Sequence, residues 1–183
     1  MSYHRGSVII VSSPPRGLFR EGTIKAGETP SPGTIMQISA SAGLGGDNNW
    51  TYEVYNADAD GGRPKGPLFI LREDPAHSTW DLNTTSIPGT TTEWIYSAYA
   101  AGDHCFVYTP MPGEEFNLLI KDVSGTGAED AHSAGDMLIP DDGTGTLVIS
   151  TGSDETEPFM LLSAVAITGI AGNILAHVIY TGY

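Results

Sequence analysis

Residues 103 to 105 read Asp-His-Cys and include the only cysteine of the chain. A thiol beside an imidazole and a carboxylate is the set a nucleophilic hydrolase uses: the base draws the thiol proton and the acid orients the base. On one extended strand, however, successive side chains alternate faces, so His104 cannot easily deprotonate its neighbour Cys105. The base would have to be His4, His77, His132 or His177. Cys105 runs directly into "FVY", an ordinary apolar strand, with no local signature of a cysteine hydrolase. A small buried thiol is the usual fate of a free cysteine. Burial of Cys105 is therefore the expectation, and a cysteine hydrolase the alternative.

Other chemistry is carried by acids and aromatics. "NADADG", residues 56 to 61, alternates Asn56, Asp58 and Asp60 before Gly61, which matches the opening of a calcium loop. The twelfth position is Pro67 instead of a bidentate glutamate, so an acidic surface turn is expected and a weak cation site is the alternative. "PDDGTG" (140 to 145) reads as a hairpin turn. "GLGG" runs into Asp47 and "GTGAED" ends in carboxylates, so neither suits a phosphate, and Gly-x-Ser-x-Gly does not occur. Glu114 and Glu115 could serve a glycosidase only with an acid facing them across a cleft; a solvated pair is expected. Trp50, Tyr52, Tyr55, Trp80, Trp94, Tyr96 and Tyr99 admit a carbohydrate platform, although strand aromatics mostly fill cores. No catalytic, cofactor-binding or metal-binding residue is assigned.

Composition indicates the elements that would position these residues. The 183 residues carry 8 Lys+Arg against 22 Asp+Glu, a net charge of −14 that repels phosphate backbones and argues against nucleic acid as a partner. With 23 Gly and 12 Pro among Val, Ile, Thr and Tyr, many short strands joined by tight turns are expected. "VIIV" (8 to 11) is too short for a secretory core. Residues 159 to 180 approach membrane-spanning length but would bury Asn173 and His177 and lack flanking Lys or Arg, so no membrane partner is expected. "MLLSAVAIT" and "ILAHVIYTG" are read instead as a hairpin across "GIAGN".

Along the chain, residues 1 to 22 read as an N-terminal arm whose "VIIV" and Leu18-Phe19 are exposed to a neighbour, because "SSPP" forbids helix and central strand. Residues 23 to 183 form a single β domain with a loop-rich region at about 39 to 95. Strands are expected in "WTYEVYNA", "LFILRED", "HCFVYTP", "EEFNLLIKDV", "MLIP" and "GTLVIST". The fold class is all-β: a compact barrel or sandwich of the jelly-roll or tulip kind. An Ala-Gly-acid turn leading to a Pro-Gly or Asp-Gly turn occurs three times, at 26 to 38, 101 to 120 and 134 to 149, without a fixed period.

The order "PPRGLFREGTIKAGETPSPGTIMQI", "SAYAAGDHCFVYTPMPGEEFNLLI", "SAGDMLIPDDGTGTLVIS" and "LLSAVAITGIAGNILAHVIYTGY" resembles the head decoration (cement) proteins of tailed bacteriophages. The resemblance covers about two thirds of the chain and leaves out residues 39 to 95. It implies a β fold on the outer surface of the virion capsid, commonly a homotrimer at three-fold positions that bridges major capsid protein subunits. It brings no catalytic residues. A Pro-rich arm suits addition to a neighbour's sheet edge, and strong negative charge is harmless outside a DNA-filled shell. The expected protein is thus non-enzymatic, with a carbohydrate-binding module of a virion fibre or surface protein as the alternative.

Overall fold

The computed structural model describes residues 9–11, 16–39, 50–56, 67–73, 98–121, 130–150, 157–167 and 174–182. Among these there is no helix, and the strands close into two barrels. Barrel one contains β1 (Leu18–Ile24), β2 (Ile35–Ile38), β3 (Trp50–Val54), β4 (Phe69–Leu71) and β5 (His104–Thr109), in the ring order β1-β3-β2-β4-β5. β6 (Glu115–Ile120) opens barrel two. β7 (Asp130–His132) lies outside it and pairs with β11 (Val165–Ile167) in a small separate sheet. β8 (Met137–Pro140), β9 (Leu147–Ile149), β10 (Phe159–Leu161) and β12 (Ile174–Tyr180) complete barrel two.

The two barrels are the same unit. Taken in chain order, the five strands of each are arranged in the ring first-third-second-fourth-fifth, with the first and third parallel and every other pair antiparallel. Register agrees as well. Ile24↔Tyr52 matches Ile120↔Leu147, and Met36↔Val54 matches Leu138↔Ile149. Met36↔Phe69 matches Leu138↔Phe159, Leu71↔Val107 matches Leu161↔Val178, and Glu21↔Phe106 matches Asn117↔His177. The same correspondence carries the loops. Lys25 N–H donates to Tyr52 C=O at 2.8 Å as Lys121 N–H does to Leu147 C=O at 2.9 Å, and Arg72 N–H to Phe106 C=O as Leu162 N–H to His177 C=O.

Interior positions explain why different sequences converge. Ile24, Met36, Tyr52, Phe69, Leu71, Cys105 and Val107 form the core of barrel one; their counterparts Ile120, Leu138, Leu147, Phe159, Leu161, Ala176 and Val178 all belong to the core of barrel two. Inward side chains alternate with outward ones, so matched register makes the apolar sets match. Before the second strand of each unit the chain makes the same turn. Ser31-Pro32-Gly33-Thr34 and Ser133-Ala134-Gly135-Asp136 each close with a bond of 3.1 Å from the fourth N–H to the first C=O. Their glycines sit at φ +89° and +96°, where an L side chain is disfavoured.

Ile35, Ile70 and Tyr108 point outward from barrel one yet are buried, because they join the core of barrel two across the seam. Ile35 N–H donates to Gly145 C=O at 2.7 Å, and a Cβ on Gly145 would stand 2.4 Å from Ile35 O, so the seam requires glycine there. Ile9 and Ile10 also enter this core, 0 % and 6 % exposed.

These observations revise several expectations. The boundary drawn at residue 22 falls inside β1, so Leu18–Gly22 are barrel strand, and Ile9-Ile10 are core instead of exposed arm. The expected all-β class holds; within it the chain closes two barrels where a single barrel or sandwich domain was expected. The C-terminal hairpin is shorter than expected: β10 does pair with β12, but Val165–Ile167 leave it to pair with β7. The thrice-seen acidic turn is real, with positive φ at Gly27, Gly102 and Gly135. The structural repeat, however, is twofold and matches "SPGT" at 31 with "SAGD" at 133.

Candidate docking surface

The Asp-His-Cys triplet divides into three separate structural tasks. Cys105 points into barrel one, fully buried, and burial, with the Asp103 charge adding, pushes its thiol up to about 12. That is the opposite of what a nucleophile needs. His104 faces outward, its Nε2 3.7 Å from Glu21 and its ring edge-on to Phe106. Asp103 accepts the Ala100 N–H at 2.7 Å and so fastens its own turn. Of the other histidines, His177 pairs with Glu115 at 2.8 Å on barrel two and His132 is buried on β7. His4 and His77 lie outside the described residues.

The acids are likewise accounted for. Asn56 is exposed, and Asp58 and Asp60 lie outside the described residues. Among the described residues no group of three or more His, Cys, Asp or Glu is placed to hold a metal ion. Asp141 bonds Lys121 Nζ and the Thr144 hydroxyl, both at 2.7 Å. A polar cleft of about 390 Å³ at the seam is lined by Glu28, Thr34, Asn56, Leu119, Thr144 and Thr146. Burial raises the pKa of Glu28 there, although one of its oxygens accepts the Val54 N–H at 2.6 Å.

Glu114 and Glu115 were expected as a solvated pair, and Glu114 is not. It is fully buried, and it gathers the Tyr108 hydroxyl at 2.6 Å, the Met111 N–H at 2.7 Å, the Gly17 N–H at 3.2 Å and the Arg16 N–H. Burial alone would raise its pKa. The Tyr108 hydroxyl and the three N–H groups outweigh burial and hold the carboxyl below its ordinary value. The signal was present in sequence: Met111-Pro112-Gly113-Glu114 repeats the frame of Ala100-Ala101-Gly102-Asp103, in which the fourth residue clasps the first N–H.

This carboxylate knots the chain where it crosses from β5 to β6, and exposed apolar side chains surround the knot. Leu18 is 61 % exposed, Phe19 49 %, Met111 48 % and Val11 41 %. Leu18 is held beside Thr109 by strand pairing, and Val11 by its N–H on Glu115 C=O at 2.9 Å. Four apolar residues fixed at the rim of an acidic protein mark an interaction surface. Of the aromatic platform, Tyr52, Tyr55 and Tyr99 are core, Trp50 is 40 % exposed, and Trp80, Trp94 and Tyr96 lie outside the described residues.

Protein-family models yield no match to the chain, and curated proteins yield no significant one. Fold and surface together define an all-β protein built from a duplicated five-stranded barrel. Among the described residues no helix is long and apolar enough to cross a membrane.

Proposed function

We propose that the chain is a structural virion protein, a capsid decoration or cement protein that binds the outer surface of a tailed-phage head. Its partners are the major capsid protein and two further copies of itself, seated at three-fold sites. The apolar rim of Val11, Leu18, Phe19 and Met111 on a chain of net charge −14 carries the reading. Such a rim gains by burial against a larger partner, roughly 25 cal/mol for each Å² removed from water. A ligand that binds only the assembled shell stabilises it by mass action. The burial and raised pKa of Cys105 favour binding over thiol catalysis.

The test uses heads of the encoding phage stripped of this chain. The unmodified protein should co-sediment with them, and Leu18→Asp/Phe19→Asp should fail to while keeping the same thermal midpoint within a few degrees. A strictly monomeric protein that leaves stripped heads unbound would overturn the proposal. Truncation of residues 1–22 is a poorer test, since it removes most of β1.

A further inference from the structure

Among the described residues the first half of β1 is an open sheet edge. β3 pairs with β1 only from Gly22 onward, so residues 18–21 have β5 on one side and no described strand on the other. Ile24 N–H donates to Asp103 C=O at 2.9 Å and Lys25 N–H to Tyr52 C=O at 2.8 Å. Even-numbered residues of β1 therefore turn their backbone groups toward β5, and odd-numbered ones toward β3. The C=O of Phe19 and the N–H of Glu21 face the open side, and Leu18 to Glu21 are exposed in succession.

In barrel two the same edge is filled. Asn117 N–H donates to Ile9 C=O at 2.7 Å, Val11 N–H donates to Glu115 C=O at 2.9 Å, and Ile10 bridges Phe116 in antiparallel fashion. By the register of the repeat, Glu115 corresponds to Phe19 and Asn117 to Glu21. The two groups that Ile9–Val11 satisfy in barrel two are thus the two that no described strand meets in barrel one. The open edge also carries a fixed apolar face: the Phe19 ring lies 4.9 Å from that of Tyr108, with the Arg72 guanidinium 4.7 Å from its centroid.

We propose that the Phe19–Glu21 edge of β1 is a strand-acceptor site. It takes, antiparallel, an extended β-branched segment of a different and basic protein, the intermolecular equivalent of Ile9–Val11. Main-chain bonds to Phe19 and Glu21 give affinity, and an apolar side chain packs on Phe19. The occupant is not this segment of a second copy, because Ile9 and Ile10 are committed to their own core, and a chain of net charge −14 attracts a basic partner. The inference rests on the reading of the chain as a protein-binding module and names the partner's contacting element.

The probe is a peptide with the sequence of residues 7–11, Ser-Val-Ile-Ile-Val, extended by two lysines, and the readout is amide hydrogen exchange by NMR. Saturating peptide should slow the Glu21 amide by about tenfold or more and leave Gly22 unchanged. On the backbone Glu21→Pro removes an N–H that carries no barrel bond, so it should fold and lose the peptide; Glu21→Ala, which loses the same carboxylate but keeps the N–H, should keep it. No protection of Glu21 at millimolar peptide would overturn the site. Peptide binding together with undiminished head binding by Glu21→Pro would overturn its use toward the shell while the decoration reading stands. Failure of the unmodified chain to bind heads would overturn that reading alone, the peptide result still deciding the edge.

Discussion

In barrel two the opening strand starts from a buried carboxylate; in barrel one the corresponding position is an exposed leucine. Glu114 and Leu18 occupy equivalent places before Glu115 and Phe19, yet Glu114 is fully covered and Leu18 is 61 % exposed. Past this point the barrels agree, position by position, in core and register. One unit can thus be used twice with its interior held constant, while its first strand is closed over in one copy and, among the described residues, left open in the other. Closure comes from Ile9–Val11 and from barrel one itself, which packs Ile35, Ile70 and Tyr108 onto barrel two.

The largest expected effect breaks this contrast directly. Glu114→Ala strips one buried acceptor from four donors and should cost about 4 kcal/mol in chemical denaturation, whereas Leu18→Ala should change stability by less than about 0.5 kcal/mol. The pH dependence has a fixed sign. The folded pKa of Glu114 lies below its ordinary value of 4.5, so its stabilisation is complete above that pH and is lost as pH falls through the folded value. Glu114→Gln should therefore flatten the acid limb of the stability curve. Smaller, and expected to be alike in the two copies, are the core truncations: Leu71→Ala and Leu161→Ala should each cost about 3 kcal/mol. A difference of more than about 2 kcal/mol between them would show that the copies are not packed equivalently.

Much of this was legible in the sequence. β3, β4, β5, β6, β8 and β9 fall within the expected strands, because alternation and turn glycines are local signals. Burial of Cys105 was readable from its strand context. The duplication was not legible, because its marks are sparse: Ile24-Lys25 against Ile120-Lys121, Gly33 against Gly135, Phe69 against Phe159, Val107 against Val178. The spacing also drifts. Gly33 and Gly135 stand 102 residues apart and Val107 and Val178 only 71, since beyond this turn the connections of the first copy are longer. Glu114 was misread because two adjacent glutamates look like solvent-facing residues, and only the assembled turn brings four donors to one of them. The exposed edge of β1 could not be read locally, for it depends on where a distant segment, Ile9–Val11, chooses to pair.

If the two barrels are equivalent units differing at one edge, the amides of Glu21 and Asn117 must exchange at different rates. Hydrogen exchange on the unliganded protein should find Asn117 protected by its bond to Ile9 and Glu21 exchanging roughly a hundredfold faster, with Gly22 and Leu118 protected in both copies. Equal protection of Glu21 and Asn117 would mean that the two barrels do not differ at this edge.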